Sequence, residues 1–227
     1  IVAGHSLGEI TAYYASGVLS LEDALLVIKE RGEGMAKSYP SEKSAMAAVL
    51  GANEETINSV IEPYQNDPLV CANFNCPGQI VVSGQKESMD NAIPKLKEQG
   101  AKVIPLNVSG AFHSPLMQGG SEHLKSFIDS VSFRDAMYPI VLNRSAQKET
   151  SSQALKENLP QQVVSSVQWI KSIETISNEV DAVLECGPGM VLSGLIKKID
   201  STITRYSVSN GDTLTKFLTT VRSETIC

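Results

Sequence analysis

The sequence predicts an α/β fold: a parallel-sheet core with a small βαββαβ subdomain inserted into it. A short β-branched run, Ile1-Val2, enters Gly4-His5-Ser6-Leu7-Gly8, and a helix-like pattern leaves it, which is a strand–turn–helix passage. Between residues 45 and 108 the hydrophobic periodicity changes in the order βαββαβ, that of a ferredoxin-like unit. Aromatic residues are only 5% of the 227, against 42% hydrophobic residues in all, so small aliphatic side chains must build the core, as α/β proteins do. The core reads as hydrolase-like and in two pieces, 1–43 and 108–227, with the ferredoxin-like subdomain at 44–107.

The elements follow in chain order. Ser20 caps a helix over 21–35, with acids at Glu22 and Asp23 in its first turn. A strand at 45–50 precedes a helix over 53–64, capped by Asn53 and carrying Ile57, Val60 and Ile61 on its apolar face. Strands at 69–73 and 79–83 are joined by Asn75-Cys76-Pro77-Gly78, read as a shaping turn and not a ligand contact. A helix over 86–99 ends on Gly100, and a strand follows at 102–108. Val167, Ile170, Ile173 and Ile176 predict a helix over 165–176, and 180–185 reads as a buried strand. Gly187-Pro188-Gly189 turns into a helix at 190–199, and a strand at 202–208 and a helix at 212–221 complete the chain.

The Gly4-x-Ser6-x-Gly8 pattern has the form of a nucleophile elbow. Two glycines let a strand reverse tightly into a helix, leaving the serine between them on a strained turn with its hydroxyl exposed. The helix start offers free backbone amides, that of Leu7 first, to hold a developing oxyanion. Ala24, Ile28, Arg31 and Met35 share one helical stripe, with Arg31 in its middle. An arginine there is either a snorkelling stem, a structural ion pair, or a planar fork awaiting a carboxylate. Of the three histidines, His5 lies inside the elbow and reads as structural, and His123 lies in a polar helical stretch and reads as solvated. His113 follows a strand in a turn rich in Gly, Ser and Pro, where catalytic groups collect, and is the leading candidate base. No carboxylate presents itself as a third triad member, since Asp129 and Asp135 sit in polar segments.

The net charge of −6 argues against nucleic acid and does not favour an anionic membrane. No apolar run approaches membrane-spanning length. Cys71, Cys76, Cys186 and Cys227 lack zinc spacing and read as free thiols of a reducing cytosol, Cys186 being the one to watch for reactivity. Lys197, Lys198 and Arg205 could form a basic patch, although a solvated face is the plainer reading.

Six motifs occur in order: Gly4-His5-Ser6-Leu7-Gly8-Glu9, Glu30-Arg31-Gly32, Asn73-Phe74-Asn75-Cys76-Pro77-Gly78-Gln79, Phe112-His113-Ser114, Val167-Gln168-Trp169 and Glu185-Cys186-Gly187-Pro188-Gly189. Together they resemble the malonyl-CoA:acyl carrier protein transacylases of fatty acid biosynthesis. Polyketide synthase acyltransferase domains share most of these features. The resemblance implies Ser6 as nucleophile, His113 as its base, Leu7 N–H as an oxyanion donor and Arg31 as the grip on the malonyl carboxylate. It further implies a backbone carbonyl near Gln168 orienting the histidine in place of a triad acid, and Phe112 as a mark of malonyl selection. Malonyl-CoA and acyl carrier protein are the implied partners. Phosphopantetheine arrives on the carrier, no metal or cofactor is held, and a cytoplasmic monomer is expected. The family carries a Gly-Gln-Gly-Ser-Gln loop in an N-terminal segment ahead of the elbow, and its lack here makes a fragment the expectation. The competing functions are a serine esterase or thioesterase and a catalytically incomplete piece.

Overall fold

A computed structural model describes residues 1–64 and 66–225. The chain forms two compact units, Ile1–Ser172 and Ile173–Cys227. In the first, strand β1 (Val2–Ala3) runs through the elbow into helix α1 (Leu7–Ala15), and helix α2 (Leu21–Ser38) follows. Ser20 Oγ accepts from Asp23 N–H at 3.0 Å, the expected cap. The buried stripe of α2 holds Ala24, Val27, Arg31, Gly34 and Met35.

Helix α5 (Gln118–Ile128) crosses α2 closely. A Cβ on Gly34 would sit 3.2 Å from Gly120 Cα, and one on Gly120 would sit 3.0 Å from the Gly34 carbonyl carbon. That crossing seats α2, and with it Arg31, deep in the unit.

Strand β6 (Ile140–Val141) pairs in parallel with β1, Val2 facing Ile140, and β7 (Lys148–Glu149) pairs antiparallel with β6. Helix α6 (Ser152–Val164) completes this layer. Its sequence hides it: Pro160 lies inside it and polar Asn158 and Gln162 are among its buried positions, so neither propensity nor apolar periodicity marks it. Ile10, Tyr13, Met117, Leu124, Ile140, Leu155 and Leu159 form the centre of the shared core.

The stretch between these elements folds on its own sheet. Strands β2 (Ser44–Leu50), β3 (Leu69–Cys76), β4 (Gln79–Gln85) and β5 (Lys102–Pro105) lie antiparallel in the order β3-β4-β2-β5. Helices α3 (Glu54–Ile61) and α4 (Lys86–Glu98) complete the βαββαβ order. The pleat sorts the strand residues. Ala47, Val49, Ile80 and Val82 share a core with Ile57 and Leu96 of the helices. Met46, Ala48, Ala72 and Val81 form a second cluster, against which Phe112 packs.

Three expectations change here. The strand read over 102–108 ends at Pro105, although Leu106 N–H still reaches Met46 O at 2.9 Å. The helix read over 165–176 begins only at Trp169, as α7 (Trp169–Ser177). Val167 is instead extended and stitched to β3: its N–H donates to Ala72 O at 2.8 Å, and Phe74 N–H donates to Val167 O at 2.9 Å. Backbone pairing has overridden the side-chain period at that residue. Strand β3 also runs on to Cys76, leaving Pro77-Gly78 as the turn.

The second unit holds the parallel pair β8 (Ala182–Cys186) and β9 (Thr204–Val208), with helices α8 (Val191–Ile199) and α9 (Gly211–Thr225). Strand β8 alternates between exposed and half-buried residues and is not the buried strand expected. Among the described residues it pairs with β9 alone. The Gly187-Pro188-Gly189 turn is closed by Glu185, whose carboxylate accepts from Leu192 N–H, Ser193 N–H and Ser193 Oγ at 3.0, 2.8 and 2.6 Å.

Candidate active site

The elbow holds Ser6 at φ 53°, ψ −108°, a region that residues other than glycine seldom adopt. Gly4 makes the turn possible, because a Cβ there would lie 1.9 Å from Gly8 O. Gly8 has open space at its own Cβ position, so of the two glycines only the first is sterically required. His113 also has a positive φ, 57°. Strained backbone at both residues marks a site whose surroundings over-determine it.

Ser6 Oγ donates to His113 Nε2 at 2.7 Å. On the far side of the ring, Nδ1 lies 3.1 Å from Gln162 O and 3.0 Å from Ser165 O. Two carbonyls only accept, so Nδ1 carries the proton and Nε2 is free to take one from Ser6. The family resemblance implies an orienting carbonyl at Gln168, and the contacts to Nδ1 come instead from Gln162 and Ser165. Gln168 O accepts from Ser172, and Gln168 N–H donates to Asn143 O. The orienting carbonyls come from the last turn and end of α6, the helix that the sequence concealed.

Burial, then the neighbouring Arg31 and His5 charges, push the His113 pKa down to about 4, against the pull of the two carbonyls. The imidazole is therefore neutral at pH 7, the form a general base needs.

Arg31 is 6% exposed. Its Nη2 donates to Ser6 Oγ at 3.0 Å and to Gln162 Oε1 at 3.2 Å. Both partners are neutral oxygens, and Nε is buried with no partner among the described residues. Burial lowers the Arg31 pKa to about 10, with Glu9 pulling the other way; it stays charged at neutral pH. A snorkelling stem does not describe this residue, and of the structural ion pair only the through-space pull of Glu9 is present among the described residues.

Beneath the elbow lies a buried polar network. Asn143 Oδ1 accepts from Ser6 N–H at 2.6 Å, and Asn143 Nδ2 donates to Gly4 O at 2.6 Å. Glu9 is fully buried, accepting from Asn143 N–H at 2.6 Å and from Asn158 Nδ2 at 2.9 Å. Burial raises the Glu9 pKa to about 7, against hydrogen bonds from Asn143, Gln162 and Asn158 and the charge of Arg31. Gln162 Nε2 also donates to Ser6 O at 2.9 Å.

These bonds settle the amides around the nucleophile. Ser6 N–H is taken by Asn143, Gly8 N–H by His5 O and Glu9 N–H by Ser6 O. Among the described residues Leu7 N–H is the one of these amides without a partner, at the first turn of α1. Sequence reasoning missed Asn143, Glu9, Asn158 and Gln162. The one available signal was the i, i+4 spacing of Asn158 and Gln162, with polar residues on what proves to be a buried face.

His5 lines the cavity over Ser6 and acts on the His113 pKa, but its own bonds run elsewhere. His5 Nε2 donates to Asn75 Oδ1 at 2.8 Å, and its ring centroid is 5.5 Å from that of Trp169. His123 pairs with Glu30 at 2.8 Å. Cys71 and Cys76 are buried and Cys186 is exposed, while Cys227 lies outside the described residues. Arg205 Nη1 bonds the backbone carbonyl of Ser201.

A cavity of about 420 Å³ opens over the pair Ser6 and His113, walled by Arg31, Met35, Met46, Asn73, Leu106 and Phe112. A larger hollow of about 650 Å³, around Lys125, Arg144 and Lys156, contains none of the three. The smaller one is the site, because reacting groups define a site and volume does not. No group of His, Cys, Asp and Glu among the described residues is arranged to hold a metal, and no described helix is long and apolar enough to cross a membrane.

A serine on a strained elbow, hydrogen-bonded to a carbonyl-held neutral histidine with a buried arginine beside it, is an arrangement suited to acyl transfer. The acyl transferase domain family matches residues 1–212. The chain belongs to that family. It is 45% identical over 209 residues to the malonyl CoA-acyl carrier protein transacylase of Staphylococcus aureus strain MRSA252, covering 90% of this chain and 68% of that protein. Identity to the Bacillus subtilis enzyme of the same name is 41% over 226 residues, 98% of this chain and 71% of the relative. A solved malonyl CoA-acyl carrier protein transacylase from Clostridium perfringens superposes with a TM-score of 0.95 at 32% identity, covering 100% of this chain and 72% of that one. A malonyl-transacylase solved with its type II polyketide synthase acyl-carrier protein superposes with a TM-score of 0.90 at 33% identity, covering 93% and 70%.

Proposed function

We propose that this acyltransferase moves a malonyl group from coenzyme A to the phosphopantetheine thiol of acyl carrier protein, in fatty acid biosynthesis, through an ester on Ser6. The observation that carries the substrate class is Arg31: a buried guanidinium beside Ser6, bonded among the described residues only to neutral oxygens. A planar fork in a cavity wall suits a carboxylate at the far end of a short acyl chain, and a site for neutral acyl groups has no use for it.

The chemistry runs in two halves. Ser6 Oγ attacks the thioester carbonyl as its proton passes to His113 Nε2, and the oxyanion forms against Leu7 N–H. Collapse breaks the C–S bond, and coenzyme A leaves as the thiol with the proton from His113. In the second half the carrier thiol gives its proton to His113 and attacks the ester, and Ser6 recovers its proton as the C–O bond breaks. Gln162 O and Ser165 O hold the imidazolium in both halves. The names of the relatives, and a relative solved with its carrier protein, support the choice of partners.

The test is intact-mass spectrometry after brief exposure to malonyl-CoA, with acetyl-CoA and the variant Ser6→Ala alongside. A malonyl adduct absent from the variant, and discharged by carrier protein bearing phosphopantetheine, is the expected result. Equal loading from acetyl-CoA would sink the dicarboxylic reading. Discharge to water and not to the carrier would favour the hydrolase.

A further inference from the structure

We propose that Asn143, anchored by Glu9, is a positioning residue for the nucleophile: it clamps the elbow on both sides of Ser6 and holds the strained conformation that aims Oγ at His113. The inference rests on Ser6 being the nucleophile but not on the identity of the acyl group.

The geometry is specific to an asparagine. Asn143 is fully buried, and its side chain bridges the turn, Oδ1 accepting from Ser6 N–H and Nδ2 donating to Gly4 O, each at 2.6 Å. One short side chain must therefore both accept and donate from a single planar end. Aspartate can only accept, serine cannot span both groups, and glutamine has an extra methylene to place in a filled core. The backbone of Asn143 is held equally firmly. Its N–H donates to Glu9 Oε2 at 2.6 Å, and its carbonyl accepts from Gln168 N–H at 2.8 Å. Glu9 sits on the first turn of α1, three residues after Ser6, so the clamp returns to the helix that the elbow opens. The loop is closed: elbow to Asn143, Asn143 to Glu9, Glu9 through α1 back to the elbow.

The clamp also has a chemical consequence. Because Asn143 Oδ1 occupies Ser6 N–H, that amide cannot turn toward the cavity, and Leu7 N–H is left to meet the oxyanion. Ser6 sits at φ 53°, where the backbone relaxes unless something opposes it. Without the Asn143 bridge the elbow relaxes, and the Ser6 hydroxyl moves off His113 Nε2.

The experiment compares wild type, Asn143→Asp and Glu9→Gln by three readouts: thermal melting, the rate at which a small fluorophosphonate labels Ser6, and malonyl-CoA loading as a function of concentration. Asn143→Asp keeps the acceptor for Ser6 N–H and loses the donor to Gly4 O. The expected result is labelling and loading each at least tenfold slower than wild type in folded protein, with half-saturation by malonyl-CoA within twofold. Labelling of the folded variant at the wild-type rate, whatever its melting temperature, overturns the proposal by reducing Asn143 to a structural role. If the Asn143 variant does not fold, Glu9→Gln tests the anchor alone, by whether loss of the second carboxylate oxygen slows labelling, and the bridge is tested by hydrogen exchange. Hydrogen exchange of wild type is independent of both: the Ser6 amide must be protected, and exchange at the free rate overturns the clamp. Wild type that labels but does not load malonyl sinks the transferase reading and leaves the clamp standing. Wild type that never labels sinks Ser6 as nucleophile, and the clamp with it.

Discussion

Arg31 Nη2 lies 3.0 Å from Ser6 Oγ, so the cation proposed to bind substrate rests on the proposed nucleophile itself. One hydroxyl oxygen donates to His113 and accepts from Arg31, which favours partial negative charge on it. A bound carboxylate would draw the guanidinium away to a charged partner. Charge-assisted hydrogen bonds are worth about 1.5–3 kcal/mol, so Arg31→Ala should slow malonyl loading by roughly 10- to 100-fold on that scale. Arg31→Lys should recover little, because a single point charge cannot grip both carboxylate oxygens. Malonyl-CoA loading rates for the two variants test this. A lysine variant at wild-type rate would refute the bidentate grip.

The pH profile of Ser6 reactivity should be unusual for a histidine base. With a pKa of about 4, His113 stays neutral as pH falls through 6.5, so labelling by a fluorophosphonate should hold level there and drop only near 4. Burial is the largest cause and the Arg31 charge the next, so Arg31→Ala should move that acid limb upward. Stability follows the same shift. The folded pKa is below the unfolded value of about 6.5, so the unfolded chain binds more protons between them, and stability present above 6.5 is lost as pH falls toward 4. His113→Ala should flatten that loss, read as melting temperature against pH. An acid limb at 6.5 or above in wild type would contradict the buried, neutral imidazole.

Much of this site was legible because its chemistry is written in local motifs. Ser6 and Leu7 lie within one turn, Arg31 stands out on an apolar stripe, and His113 had no rival in a loop after a strand. The βαββαβ order was legible for the same reason, since each element carries its own period and cap, as Asn53 does for α3 through its bond to Thr56 N–H. What stayed hidden is what depends on tertiary contacts. Gln162 meets His113 through a backbone carbonyl, which any residue owns, meets Arg31 and Ser6 through its side chain only once the chain is folded, and sits on a helix whose buried face is polar and whose sequence holds a proline. Asn143 meets Ser6 across 137 positions of chain, and no local pattern signals such a pairing. Val167 was read as helical because its period fitted, yet a parallel bridge to Asn73 decided its conformation.

Ser83 offers a stability test away from the chemistry. It lies fully buried on β4, paired across the sheet with Met46 and Val70, and its Oγ has no partner among the described residues. A buried polar group without a hydrogen bond costs about 1–3 kcal/mol. Ser83→Ala removes the hydroxyl and leaves the backbone pairing intact. A chain of this size gains about 2–4 °C in melting temperature per kcal/mol, so a rise of a few degrees is expected in a thermal melt. A fall would mean that the hydroxyl is satisfied in solution.

The two glycines of the elbow should respond in opposite ways. At Gly4 an added Cβ would sit 1.9 Å from Gly8 O and 2.6 Å from Glu9 N, both backbone atoms that cannot swing aside. Gly4→Ala must therefore push β1 from α1 at the nucleophile, and it should abolish labelling of Ser6 even where the chain still folds. At Gly8 nothing lies within 4 Å of the added carbon, and the residue is inside α1. Alanine is favoured over glycine in a helix by about 0.8–1 kcal/mol, so Gly8→Ala should melt slightly higher than wild type and keep most of its labelling rate. The pair separates two accounts of the motif. If both variants lose labelling alike, the elbow needs the backbone freedom of both glycines. If only Gly4→Ala does, the requirement is one of space, for a strand and a helix that touch where Ser6 turns between them.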